Sequence, residues 1–426
     1  MGGPQRDDFS PKANKMSEIK STHLIHHPYV APQEFESPQR PVYKASTVIF
    51  PNTREMKNRR WQDKSAYTYG LHGTPSTFEL EEKLATLEGG RYCTLVPSGL
   101  SAIAHVNLAF LRTGDHVLVP DNAYSPSISM LERFLSPFGV SFSRYDPMSL
   151  EDFQRELLPQ TRLIWLEAAG SVTMEFPDLK GMVQVVKAHN EHNEHLQSAE
   201  RRPSLLALDN TWGAGLAFDP FALGVDLSIH ALTKYPSGGG DVLMGSVVSH
   251  SSDIAQAVSS AHMYLGTGVG GHDVDAILKG LQSLVLRYDA QDRAARTIAQ
   301  SLEGRPSIQE VLHPAFPSAQ GHHHWRDLCV TAEHPKGRAA GIFSVVFKPS
   351  YTAQDVEAFC DRLKLFKLGY SWGGPMSLVL PYDMGAMRRK PAAHLRGGQV
   401  VRFCIGLENT QDLMADLHQG LMGLEA

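Results

Sequence analysis

The sequence predicts an α/β fold, with a mostly parallel sheet covered by helices on both faces and a smaller α+β domain after it. Three observations carry the prediction. Short apolar runs, too short to be helices, alternate with segments of helical period through the middle of the chain. Each run ends in a polar or small-residue cluster, namely PDNAY, EAAGS or DNTWGAG. Beyond the long helical stretch near residue 290, FSVVF, SLVLP and VVRFCIG read as further strands.

In chain order, residues 1–20 are polar and without periodicity, which reads as a mobile tail. QRPVYKASTVIFP (39–51) mixes prolines with a β-branched run and reads as an extended arm. Cys93–Val96 is strand-like and leads through Pro97-Ser98-Gly99 into a helix over Leu100–Leu111. Val117–Val119, Leu163–Leu166 and Leu205–Leu208 are the next strands, with a helix over Leu179–Lys187 between the last two. Asp273–Leu302 is expected as one long helix, its stripe carried by Ile277, Leu278, Leu281, Leu284 and Val285. A domain boundary is placed near it, giving 1–65 as tail and arm, 66–285 as the large domain and 286–426 as the small one. No internal repeat is found.

Composition narrows the function. With 426 residues, 42% hydrophobic and 20% charged, the chain is not collagen-like, a disulfide scaffold or intrinsically disordered. At roughly 150 residues per domain, two or three domains are expected. Lys+Arg 40 against Asp+Glu 45 leaves a net charge of -5, so nucleic acid is not the expected partner. Cys93, Cys329, Cys360 and Cys404 form no CxxC pair, which points to a reducing cytoplasm. The first residues carry no apolar signal-peptide core, and Arg6 stands where a myristoylation signal has Ser or Thr. No apolar window approaches the roughly 18 residues of a membrane span.

Five features carry chemistry, each ambiguous alone. Lys234, in SIHALTKYPSGGGD, is either a solvated charge or a desolvated amine able to form a Schiff base. Asp209, directly after Leu205–Leu208, is either a turn-former or the acceptor for a pyridinium N–H. Ser98, Gly99 and Leu100 open a helix whose free N–H groups favour a phosphate, although such a turn is commonly a plain connection. Tyr124, in PDNAY, either stacks on a flat ring or is a core or interface aromatic. Arg402 lies inside the apolar VVRFCIGL and meets either a structural anion or a substrate carboxylate. Taken together, they are the parts of a pyridoxal-phosphate enzyme acting on an amino acid.

At these residues the chain resembles the Cys/Met-metabolism family of pyridoxal-phosphate enzymes. The resemblance runs from about Lys44 to the C-terminus through KASTVIFP, YGLHGTP, LEGG, PSGLSAI, DNAY, LDNTWGAG, TKYPSGGGD and VRFCIGLE. WLEAAGSVTME and YSWGG are most similar to the bacterial cystathionine β-lyases of that family. The resemblance implies the fold type I transferase architecture, with a seven-stranded sheet in the large domain. It implies pyridoxal 5'-phosphate as cofactor and Lys234 as its Schiff-base lysine. Asp209 would pair with the ring nitrogen and Tyr124 would stack on the ring. Ser98, Gly99, Leu100 and Thr233 would hold the phosphate, and Tyr69 would reach the neighbouring subunit's phosphate. Arg402 would bind the substrate carboxylate, with Tyr370, Ser371 and Trp372 on the substrate side. The partners implied are a small thioether amino acid such as L-cystathionine and a homotetramer of site-sharing dimers. The arm would contact the neighbouring subunit.

The implied activity is α,β-elimination to homocysteine, pyruvate and ammonia, with Lys234 and Tyr124 as catalytic groups. The alternatives are a γ-lyase, γ-synthase or methionine γ-lyase activity and, more remotely, a non-catalytic regulatory protein on this fold. Three positions depart from the family pattern. Leu71 replaces a phosphate-binding Arg, with His72 the nearest substitute; Ala231 replaces a Ser; Met376 replaces a Glu.

Other signals are set aside. No strand leads into G-x-G-x-x-G with an acid roughly 20 residues on, so a nicotinamide dehydrogenase is not expected. HNEHNEH (189–195) reads as a solvated helix end and His322–His324 as part of a surface loop, so no metal is expected. Met414 and Met422 have helical core spacing.

Overall fold

Burial on both faces makes a parallel strand a continuous apolar run, and the strand His116–Pro120 (HVLVP) is buried at every position. The computed structural model describes residues 37–38, 40–62, 64–195, 202–389, 392–395 and 397–425. The expected tail and most of the segment before the arm lie outside these residues. Residues 42–426 form one unit, to which both sheets and their helices belong.

The first sheet contains β1 (Tyr92–Val96), β2 (His116–Pro120), β3 (Ser141–Tyr145), β4 (Thr161–Glu167), β5 (Leu205–Asp209), β6 (Leu227–Ala231) and β7 (Gly245–Ser249). Their order is β1-β7-β6-β5-β4-β2-β3. Neighbours from β6 to β3 are parallel, whereas β7 runs antiparallel to both β1 and β6. The carboxyl ends of β2, β4, β5 and β6 therefore open on one edge, the position where open α/β sheets place ligands. The second sheet, β10-β11-β12-β9-β8, is built from β8 (Ile308–Leu312), β9 (Ile342–Phe347), β10 (Lys367–Leu368), β11 (Leu378–Tyr382) and β12 (Val400–Cys404). It is antiparallel except for β10 with β11. This is the α/β architecture that the sequence predicts.

Local chemistry sets the element ends near the site. Helix Gly99–Phe110 begins where the Ser98 hydroxyl accepts from the Ser101 N–H at 3.0 Å. Helix Pro75–Glu88 starts with a capping box at Thr74 and Thr77 and stops at Gly89, whose φ of 77° glycine adopts without strain. One core lies between the first sheet and the second, around Phe176, Trp212, Tyr235 and Tyr288. Another gathers Phe343, Phe359 and Phe403 with Leu413 and Leu417 on the far side of the second sheet.

Two expectations are corrected. Asp273–Leu302 is two helices, Gly271–Leu281 and Leu284–Leu302. At the break a Cβ on Gly280 would lie 2.1 Å from the Pro236 carbonyl oxygen, so the two backbones abut there. Arg287 holds the junction, donating to the carbonyls of Gly280 and Tyr235 at 2.7 Å each. The His322–His324 triplet opens a helix, His322–Cys329, because Trp325 and Cys329 share its buried face. Among the described residues, no group of three or more potential metal ligands is brought together, and no helix is long and apolar enough to cross a membrane.

Candidate active site

A cavity of about 540 Å³ opens at the carboxyl edge of the first sheet and is closed by the second. Ser98, Gly99, Leu100, Tyr124, Asp209, Thr233, Lys234, Tyr370, Ser371, Trp372 and Arg402 all line it. Tyr69 does not. It is 47% exposed and bridges to Thr47, away from the cavity of its own chain.

The floor comes from strand ends. Asp209 is the last residue of β5 and lies in register with Glu167, the last residue of β4. Burial raises the Asp209 pKa, opposed by hydrogen bonds from Thr211. The Thr211 N–H donates to Asp209 Oδ1 at 3.0 Å, and the Thr211 hydroxyl accepts the Ala231 N–H at 2.9 Å. Thr233 and Lys234 follow β6 directly, in the turn where the Lys234 N–H donates to the Ala231 carbonyl at 3.0 Å.

Lys234 Nζ donates to Ser371 Oγ at 2.9 Å and lies 5.7 Å from the Trp372 ring centroid. Burial, helped by the charge of Arg402, pushes its pKa down to about 8, despite Cys404 and Asp209 acting the other way. Arg402, in the middle of β12, is 5% exposed. Its hydrogen bond runs to a backbone carbonyl and not to a carboxylate, Nη1 donating to Ser171 O at 3.0 Å. Its Nε is buried without a hydrogen-bond partner among the described residues, and the Tyr382 ring lies 5.1 Å beneath the guanidinium. Burial raises the Tyr124 pKa, with Asp209 and Glu167 adding to the effect, so its phenol keeps its proton at neutral pH.

The second sheet's side of the cavity is tied to the first by charge. Arg388 donates to Glu175 Oε1 at 2.8 Å, and Arg144 donates to the carbonyl of Met387, a lining residue, at 2.6 Å. Behind the floor lies a buried polar quartet. Glu88 accepts from Asn210 Nδ2 at 2.8 Å and from Ser228 Oγ at 2.7 Å, and its other oxygen lies 3.2 Å from His230 Nδ1.

Polar lining residues that escaped the sequence reading include Glu167, Thr211 and Tyr382. The first two had a signal in the polar residues that close strand-like runs, in WLEAAGS and LDNTW. Tyr382 had none. Of the departures, Ala231 lines the cavity, while Leu71 and His72 line a separate space of about 50 Å³. His72 Nδ1 pairs with the Thr68 hydroxyl at 2.8 Å, and burial lowers its pKa, so it is a neutral ring there and not a cation. Met376 is 55% exposed and outside the cavity.

Residues 21–422 match the family described as Cys/Met metabolism PLP-dependent enzymes. The cystathionine beta-lyase MetC of Escherichia coli is 33% identical over 384 residues, covering 89% of this chain and 92% of its own. The cystathionine beta-lyase of Bordetella avium is 33% identical over 418 residues, covering 95% and 99%. A solved cystathionine gamma synthase from Xanthomonas oryzae pv. oryzae, in complex with aminoacrylate and cysteine, superposes with a TM-score of 0.77. It is 26% identical, covering 91% of this chain and 93% of its own.

The donor set fits the cofactor those proteins share. Gly99 starts a helix whose first residues line the cavity, where free N–H groups suit a phosphate, and a Cβ there would lie 2.5 Å from that of Ala231. That cradle, with a carboxylate at Asp209, an amine at Lys234 and an aromatic at Tyr124, supplies a partner for each end and face of a phosphorylated pyridine. The chain belongs to the Cys/Met-metabolism family of pyridoxal-phosphate-dependent enzymes.

Proposed function

We propose that this enzyme cleaves the carbon–sulfur bond of L-cystathionine by α,β-elimination, releasing homocysteine, pyruvate and ammonia as a step toward methionine. The observation that carries the reading is Arg402, a buried guanidinium that meets no carboxylate among the described residues, facing the same cavity as a lysine whose pKa burial pushes down to about 8. A planar fork of this kind grips an α-carboxylate in a bidentate way. The β-lyase names of the two relatives support the finer choice.

In this reading Lys234 holds the cofactor, Asp209 keeps its ring nitrogen protonated and Tyr124 covers its face. The Ser98–Leu100 turn and Thr233 hold the phosphate. Bound pyridoxal phosphate supplies an electron sink for the negative charge left when Cα loses its proton. With the carboxylate fixed on Arg402, the freed Lys234 amine takes that proton, a role for which a pKa of about 8 suits it. The departing sulfur receives a proton from the Lys234 ammonium or from the Tyr124 phenol. Tyr370, Ser371 and Trp372 shape the side on which the sulfur leaves.

Two further readings go with it. Tyr69, exposed and outside its own cavity, serves a neighbouring subunit's site within a homotetramer of dimers. Four free, buried cysteines support the cytoplasm as the compartment.

Product analysis on L-cystathionine tests the reaction. Pyruvate with homocysteine is the expected result. 2-Oxobutyrate with cysteine would replace it with the γ-elimination that the gamma synthase likeness leaves in play. Lys234→Ala should lose both the visible cofactor band and turnover.

A further inference from the structure

Glu167 is a buried carboxyl group that the proposed reaction does not use. It closes β4, lines the cavity and is 9% exposed. Its register partner on β5 is Asp209, and paired residues of parallel strands project from the same face, so two carboxyl groups stand side by side in the floor. Among the described residues, the other titratable or charged groups it faces include the Tyr124 phenol, the Tyr145 phenol on β3, and Lys234 and Arg402, which line the same cavity. Tyr145 donates its hydroxyl elsewhere, to the Trp165 carbonyl at 2.9 Å. Glu167 Oε2 instead accepts the backbone N–H of Tyr124 at 2.9 Å, fixing the start of the segment that carries that ring.

Two adjacent buried carboxylates cannot both ionise cheaply. Asp209 has the better claim to the charge, since Thr211 hydrogen-bonds to it and His230 and Lys234 attract it. Glu167 has backbone hydrogen bonds from Tyr124 and Ser171 but, among the described residues, no cation that offsets its burial as Lys234 does for Asp209.

We propose that Glu167 is a positioning residue held as a neutral carboxylic acid, which leaves Asp209 the single anion of the floor and anchors Tyr124 through its backbone N–H. The idea rests on the reading of this cavity as the cofactor site. Burial, and then the charge of Asp209, drives the Glu167 pKa well above the ordinary carboxylate range. A carboxyl group raised in this way stabilises the fold while protonated. The contribution is lost as pH rises from the unfolded value through the folded one.

The test compares wild type with Glu167→Gln, whose amide keeps an acceptor and a donor without charge, and with Glu167→Ala. On the apoproteins, unfolding free energy is followed between about pH 5 and pH 9. The Gln variant should gain stability relative to wild type as pH rises; parallel curves would overturn the proposal. On the reconstituted proteins, the Gln variant should bind pyridoxal phosphate within about threefold of wild type, and the Ala variant about tenfold more weakly. A Gln variant as weak as the Ala variant would make Glu167 a required anion and overturn it equally. Should the Gln variant not fold, the infrared carbonyl band of a neutral carboxylic acid at neutral pH in wild type decides, its absence overturning the idea. A wild type that takes up no cofactor would remove the cavity reading alone, because the apoprotein measurement reads the charge of Glu167 without it.

Discussion

Lys234 Nζ donates a 2.9 Å hydrogen bond to Ser371 Oγ, and Ser371 makes that contact from a backbone with φ of 125°. Side chains rarely adopt such a φ, and holding one there costs of the order of 1–3 kcal/mol. The turn after the short β10 thus stores strain at the point where it touches the reactive amine.

Replacing Ser371 separates the two effects. Ser371→Ala and Ser371→Gly both remove the acceptor, and each should lower kcat/KM about threefold to tenfold. Only glycine also relieves the backbone, so Ser371→Gly should be more stable than Ser371→Ala by about 1 kcal/mol. Steady-state kinetics and denaturant unfolding check the pair, and equal stabilities would contradict the strain.

The depressed pKa of Lys234 makes a prediction about the apoprotein. Its folded value, about 8, lies below the ordinary 10.5. Between these values the unfolded chain binds more protons, so stability rises with pH across that window and falls away as pH drops through about 8. Lys234→Met lacks the titration. The wild type should therefore gain on this variant over the same window, as measured by equilibrium unfolding without cofactor.

Arg402 gives a sharper kinetic test. Arg402→Ala removes a charge-assisted, bidentate contact worth several kcal/mol in a buried site, so kcat/KM should fall by about a hundredfold or more. Arg402→Lys keeps the charge but not the fork and should recover little of the loss. The cofactor band should persist in both, which distinguishes substrate binding from damage to the cofactor site.

Much of this was legible in the sequence because strand ends are punctuated chemically. Asp209, Tyr124 and Ser98 each follow a buried apolar run; parallel register carries the first two to one edge, and β7, antiparallel to both β1 and β6, brings Ser98 to the same edge. Arg402 was legible for the opposite reason, as a charge interrupting an apolar strand. Glu167 closes a strand just as Asp209 does, but its significance lies in its neighbour across the sheet, and pairing between β4 and β5 is not written locally in either segment. Tyr382 lies beneath Arg402 through antiparallel packing of β11 on β12, a contact with no periodic trace. The helix break at Gln282-Ser283 was missed because the apolar stripe continues through it. The close approach of Pro236 to Gly280, one turn before the break, joins segments distant in sequence and leaves no local trace.

The quartet of Glu88, Asn210, Ser228 and His230 has a consequence for how this sequence drifts. Each member is buried, and Glu88 gathers the polar atoms of the other three. Loss of one leaves the rest with unmet hydrogen-bonding demand, whereas joint replacement by apolar groups of similar shape is nearly free. Four positions spread over more than a hundred residues therefore behave as one heritable character: relatives should keep the set whole or exchange it together.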